Sequence, residues 1–158
     1  LGSPTANIDR DIDNDLKFIR KIKQVNPASE IIIYTYSPVN FEDSEMSMAS
    51  KLQGFDYPSS MEEWVSPRWQ NFDMRKNPLT PWLKPHHFRK IRNFEKTLNA
   101  YYPTNSDLKI KGWKRSMLKI LGSWRYLSSF YLAPYEIMVL QKLLRYRQPE
   151  IEGFAFEE

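Results

Sequence analysis

Two histidines, His86 and His87, stand side by side and are the chain's whole imidazole content. Imidazole titrates near neutrality and ligates metals, so acid–base catalysis and metal binding are the first chemistries to weigh. Adjacent residues on a helix point about 100° apart, and the usual two-histidine helical site uses i, i+4 spacing. The pair therefore reads as histidines of a helical first turn, with a catalytic acid or base as the alternative. Glu62-Glu63 invites an acid/base pair, but neighbours on a short helix seldom converge and first-turn acids ordinarily complement the helix dipole. Asp9, Asp11, Asp13 and Asp15 alternate in the manner of cation ligands. On a helix, a spacing of two turns side chains about 200° apart, and the glycine and later Glu of a calcium loop are missing. The chain has no Cys, which excludes disulfides, a thiol nucleophile and thiolate-bound metal within it. No phosphate loop, nucleophile elbow or zinc motif is present.

Charge is the second source of chemistry. The net +4 of the 158 residues is unevenly spread. Residues 1–74 carry 7 Lys/Arg against 12 Asp/Glu, residues 75–125 carry 13 against 2, and residues 126–158 carry 3 against 5. The middle block interleaves its cations with Trp, Tyr and Phe. Such a block suits nucleic-acid phosphates and stacking. It also suits an anionic membrane surface, since "KIKGWKRSMLKILGSWRY" sets Lys and Arg beside Trp and Leu as interfacial helices do. The plainest reading is a solvated basic face over an aromatic core. The composition shift places a boundary near residue 75, within the proline-rich "RKNPLTPWLKP".

The elements that must position these residues are mostly helical. Ile8, Ile12, Leu16, Ile19 and Ile22 follow a 3.6-residue period, with Thr5 or Asn7 as cap and Asn26-Pro27 as stop. "EIIIYTYSP" at 30–38 is a short apolar run of the kind buried on both faces in a parallel sheet. If Leu1-Gly2 closes a preceding strand, the order is β, α, β. A helix is expected over 41–52, stopped by Gly54, and a short capped one in "YPSSMEEWVS" with Ser59 or Ser60 as cap. Residues 66–82 read as an ordered loop. Three further helices follow. The first places Phe88, Ile91, Phe94 and Leu98 on one face, and the second Trp113, Met117, Ile120, Leu121 and Trp124. The third begins at Pro134 with Ile137, Leu140, Leu144 and Met138 inward, and "RQPEIEGFAFEE" trails as a tail. Within the basic block, Phe88, Phe94 and Trp124 are expected between helices, and Trp113 and Tyr126 exposed beside Lys111, Lys114 and Arg115. No run approaches the roughly 20 apolar residues of a membrane span. A cysteine-free chain without a signal peptide is compatible with the cytoplasm.

The series Gly2-Ser3-Pro4, helix "DLKFIRKIKQVNP", strand "YTYSP", "LQGFDYP" and "SSMEEWVS" resembles the C-terminal part of radical S-adenosylmethionine (radical SAM) enzymes, most closely the branch with a cobalamin-binding domain. The resemblance covers residues 1–75 and touches the tail only loosely. Two departures fall at strand ends: Thr5-Ala6 replaces the family's Gly-Glu, and Val39-Asn40-Phe41 replaces its Pro-Gly-Thr.

The resemblance implies an α/β fold. Residues 1–74 would be the last βα units of an incomplete parallel, TIM-type barrel, and residues 75–158 a basic, aromatic helical extension. It implies a fragment that closes the barrel and is inactive alone, completed by a missing N-terminal part that binds S-adenosylmethionine and a 4Fe-4S cluster. The cluster's cysteines would lie upstream, with no metal ligand in this chain, and cobalamin is a further cofactor of that branch. Gly2, Ser3, Pro4, Tyr36 and Ser37 would then face S-adenosylmethionine or substrate. Partners would be a hydrophobic or anionic small molecule and a peripheral membrane contact, with no nucleic acid. The alternative is a non-enzymatic basic helical module that binds anionic lipid or nucleic acid.

Overall fold

The computed structural model describes residues 1–38, 44–72, 79–103 and 112–143. Among them are seven helices: α1 (Ile8–Val25), α2 (Glu45–Leu52), α3 (Met61–Trp64), α4 (Pro67–Gln70), α5 (Pro85–Tyr101), α6 (Trp113–Ser128) and α7 (Tyr135–Leu143). No strand or sheet forms among the described residues, which overturns the expected α/β barrel. Residues 31–36 are not a strand buried on both faces. Ile33 and Thr35 are buried, whereas Ile32 and Tyr34 face solvent. Two backbone hydrogen bonds do reach this run: Leu1 donates to the Tyr34 carbonyl (2.7 Å) and Tyr36 N–H donates to the Leu1 carbonyl (2.6 Å). That is the pattern of one parallel pair, but a sheet needs a second segment of comparable length to continue the ladder. No described segment supplies one.

The chain divides into two compact units, residues 1–17 with 33–88, and residues 18–32 with 89–158. The boundary expected between 74 and 75, the start of the second expected helix at 41–43, Lys111, Leu144 and the tail all lie outside the described residues. Helices α1 and α5 each contribute to both units.

In the first unit Asn7 caps α1, its Oδ1 accepting from Arg10 N–H at 3.1 Å. Ile12 and Leu16, one turn apart on α1, are buried, as are Ile33, Phe55, Trp82 and Leu83. Ser44 caps α2 by accepting from Ser47 N–H. Helix α2 buries Ser47 and Ser50 and leaves Met46, Met48 and Leu52 exposed. Ser60 caps α3, and Glu63 reaches back to Ser59 N–H at 2.6 Å, a variant of the capping box. Pro67 opens α4 within the stretch read as loop.

In the second unit Ile19, Ile91, Phe94 and Leu98 are buried at the expected helical spacing. Ala100, Leu118, Ile137 and Leu140 form one cluster, with Leu121 packed against it. Helix α6 lies so close to the end of α5 that a Cβ on Gly122 would stand 2.8 Å from Tyr101 N and 3.0 Å from the Ala100 carbonyl carbon. No helix among the described residues is long and apolar enough to cross a membrane.

Two substitutions test this packing. Leu16→Ala should lower stability by about 2–5 kcal/mol, as large-to-small core changes do. Gly122→Val should lower it by about 1–3 kcal/mol, because the opposing atoms are backbone and cannot swing aside. Urea unfolding of both variants checks these values, with exposed Ser128→Ala as a control expected within about 0.5 kcal/mol.

Candidate functional site

Gly2 and Tyr36, two of the residues expected to face a cofactor, meet around Trp82. The indole Nε1 of Trp82 donates to the Gly2 carbonyl at 2.9 Å, and the Tyr36 ring lies 6.2 Å from the Trp82 ring. Gly2 has φ +81°, and a Cβ there would stand 2.9 Å from a Leu83 methyl. Pro4 is buried, while Ser3 and Ser37 are half-buried. These contacts make a packed hub of backbone and ring. The barrel mouth that would give the five residues a cofactor to face is absent among the described residues.

The histidines are brought to one place. Asp9 Oδ1 lies 3.1 Å from His87 Nε2 and 3.6 Å from His86 Nε2, so three ligand atoms gather within 4.8 Å. The hydrogen bonds at His87 decide what this cluster can do. Lys84 N–H donates to His87 Nδ1 at 3.1 Å. Lys84 precedes Pro85 at the start of α5, so His87 acts as the third residue of a capping box, in the place usually taken by Glu or Gln. With Nδ1 accepting, the proton of neutral imidazole sits on Nε2 and is donated to Asp9. A metal on Nε2 would displace that proton and set Nδ1–H against Lys84 N–H. Nδ1 is thus engaged in capping α5 and Nε2 in holding its start to the first turn of α1, which suits neither metal ligation nor acid–base work. His87 is buried, and this burial holds its pKa below the ordinary imidazole value, with His86 adding to the shift and Asp9 opposing it.

Glu62 and Glu63 are first-turn acids of α3. Their carboxyls sit below the usual range, through backbone and Ser60 hydrogen bonds at Glu62 and through Ser59 at Glu63. Lys23, Arg115 and Lys119 line a cleft of about 300 Å³ with Tyr101 and Tyr102. Lys23 Nζ donates to the carbonyls of Pro27 (2.8 Å) and Ser29 (2.6 Å), beneath the Tyr102 ring. Arg115 donates to the Pro103 carbonyl at 3.0 Å. Lys23 and Arg115 thus hold carbonyls of the segments that follow α1 and α5, and Lys119 lies 5.9 Å from the Tyr101 ring centre.

Helix α6 is turned the other way from the expected packing: Met117, Ile120 and Trp124 do not pack inward, and Trp113, exposed as expected, and Leu127 extend them into one stripe at spacings of four, three, four and three residues. They face solvent, Trp113 at 65%, Ile120 at 69% and Leu127 at 65% of full exposure. The face that packs is Leu118, Gly122, Arg125 and Tyr126. Tyr126, expected at the surface, is buried against Tyr101 and Tyr102, and burial raises its pKa. Trp124, expected between helices, is half exposed and stacks on Phe130. Phe94 is buried as expected and Phe88 half-buried.

Arg125 was part of a basic run in the sequence and gave no sign of burial. Arg125 is 5% exposed, and its guanidinium donates to both carboxylate oxygens of Glu136 and to the carbonyls of Leu132 and Ala133. The one signal for it was Glu136 at the start of the next helix, across a short turn. Comparison of the chain with models of known families, with curated proteins and with solved structures finds no match to any of them.

The His87 geometry predicts an acid-sensitive clamp. The unfolded chain binds this proton more readily than the folded one, so the contribution is full above pH about 6.5 and is lost as pH falls toward the lower folded value. His87→Gln keeps a capping acceptor without a titrating group. Urea midpoints measured across this window should fall less in the variant than in the parent chain. Nitrogen-15 spectra of the imidazole should show the Nε2–H tautomer.

Proposed function

We propose that this chain is a non-enzymatic module that attaches to an anionic membrane surface through helix α6. The observation that carries this reading is the outward stripe Trp113, Met117, Ile120, Trp124 and Leu127 on a helix that also bears Lys114, Arg115 and Lys119 outside its buried Arg125 and has no acidic residue. Exposed apolar patches of this kind mark interaction surfaces. An interfacial helix combines an apolar face bearing Trp and Leu with a basic polar face, and it lies in the plane of the headgroups. Phe130 and Leu132 in the turn after α6, and Tyr135 and Val139 on α7, are also exposed in the same unit.

Charge selects the partner. The block 75–125 carries 13 basic against 2 acidic residues, a balance of +11. A second copy would bring two such blocks together, whereas an anionic leaflet attracts each surface cation by about 1 kcal/mol. A cytoplasmic leaflet, which carries anionic lipid, accords with the cysteine-free composition. The radical SAM resemblance required a parallel barrel, and no strand or sheet forms among the described residues.

Vesicle co-sedimentation tests the proposal. Binding should be strong with anionic phospholipid, weak with purely zwitterionic lipid, and should fall steeply with added salt. Ile120→Ser should weaken binding about tenfold, since burying an Ile side chain contributes about 1.5–3 kcal/mol. Lys114→Glu should weaken it further and flatten the salt dependence. Equal binding to both lipid types, or tighter binding to single-stranded nucleic acid at the same ionic strength, would overturn it.

A further inference from the structure

The second unit holds a cleft that attachment through the α6 stripe does not use. Its volume of about 300 Å³ is at the lower end of small-molecule sites. Residues 27–31, which follow α1, line one side of it. The last turn of α5 with Pro103 lines a second, and Arg115 and Lys119 of α6 line a third. Local sequence builds these sides. Asn26 turns the chain after α1, its Oδ1 accepting from Ala28 N–H at 3.0 Å and its carbonyl from Ser29 N–H at 3.1 Å. The close approach of Gly122 to Ala100 and Tyr101 brings in α6, on which Lys119 and Arg115 lie one and two turns before that glycine.

Two properties of the lining point to a ligand. The first is charge. Lys23, Arg115 and Lys119 are set against one carboxylate, Glu30, so three positive charges and one negative leave +2. Glu30 is exposed, whereas Lys23 is buried. Burial holds the Lys23 amine below its ordinary pKa, and Glu30 opposes that shift only in part, so further negative charge in the cleft is favourable. The second property is Asn99. It lines the cleft, is 8% exposed, and its side chain makes no hydrogen bond among the described residues. A buried amide without a partner is costly, and an oxygen brought into the cleft would satisfy it.

We propose that this cleft binds a phosphate monoester, with Lys23, Arg115 and Lys119 matching its charge and the Asn99 amide donating to one of its oxygens. A monoester carries about −1.5 to −2 at neutral pH, close to the +2 of the lining, whereas a diester carries a single charge. Hydrogen bonds from charged donors to phosphate are among the strong ones. A soluble phosphate ester and the phosphorylated headgroup of a lipid present the same group.

Calorimetric titration with glycerol 1-phosphate, against dimethyl phosphate, tests the assignment. The monoester should bind saturably and about tenfold more tightly than the diester. Lys119→Gln, an exposed change, should weaken monoester binding about tenfold. Lys142→Gln removes the same charge from α7, away from the cleft, and should leave binding unchanged. Asn99→Leu removes an amide that has no partner, so it should hold or raise the urea midpoint while weakening the monoester several-fold, an outcome that a purely structural role for Asn99 does not give. Co-sedimentation at matched surface charge separates the two sources. Tighter binding to phosphatidic acid than to phosphatidylglycerol vesicles assigns the cleft to a lipid headgroup, and equal binding assigns it to a soluble ester. No saturation by glycerol 1-phosphate in the folded parent chain, monoester and diester binding alike, or equal effects of Lys119→Gln and Lys142→Gln would overturn the proposal. The titrations contain no lipid, so this cleft and attachment through α6 can each fail alone.

Discussion

The second unit depends on one buried cation. Arg125 leaves water, and such a group is tolerated only where its charge is matched and its donors are engaged. Glu136 provides the charge, and its carboxyl is held below the ordinary range by the hydrogen bond from Arg125. The Leu132 and Ala133 carbonyls take further donors, and the Trp124 and Phe130 rings cover the guanidinium at 4.7 and 5.3 Å. The turn between α6 and α7 is thereby tied at its base. Ser129 closes α6 in the left-handed conformation, φ +58°, and buried Pro134 opens the way into α7. Breaking one side of such a pair strands the other charge, which ordinarily costs about 3–5 kcal/mol.

The rotation of α6 about its own axis follows from that clamp. Arg125 and Tyr126 must face inward, and Gly122 and Leu118 lie one and two turns earlier on the same side. Gly122 is the only residue type that lets α6 close onto Ala100 and Tyr101 at this distance. The larger stripe from Trp113 to Leu127 is then left in water. Internal polar order and external apolar exposure have the same origin. A helix free to turn would bury the tryptophans, and the Arg125–Glu136 pair prevents it.

How much of this was legible in the sequence depends on what kind of signal each residue gives. Ile12, Leu16 and Ile19, and likewise Ile91, Phe94 and Leu98, announce their buried faces because a single apolar stripe leaves no choice of side. Ser60 and Glu63 announce a helix start through chemistry confined to four residues. Helix α6 carries two stripes, one large and aromatic, the other built of Leu118, Gly122 and Tyr126. Periodicity finds both and does not say which faces inward; that is settled by a glycine's missing Cβ and by Glu136, eleven positions beyond Arg125. The run 31–36 misled for a related reason. A strand is defined by its partner, and composition alone does not supply one. The meeting of His86 and His87 with Asp9 was invisible because it joins two helices 78 positions apart.

If α6 attaches the chain as proposed, its outward stripe enters an anionic lipid interface while the neighbouring cations stay in water. The absence of cysteine allows a single polarity-sensitive fluorophore to be placed at will. Ile120→Cys and Lys119→Cys put the label on adjacent residues about 100° apart on the helix. Addition of anionic vesicles should move the label at 120 into an apolar medium, with a blue-shifted and stronger emission, and leave the label at 119 in water. Identical responses at the two positions, or none at either while the helix stays folded, would contradict the account.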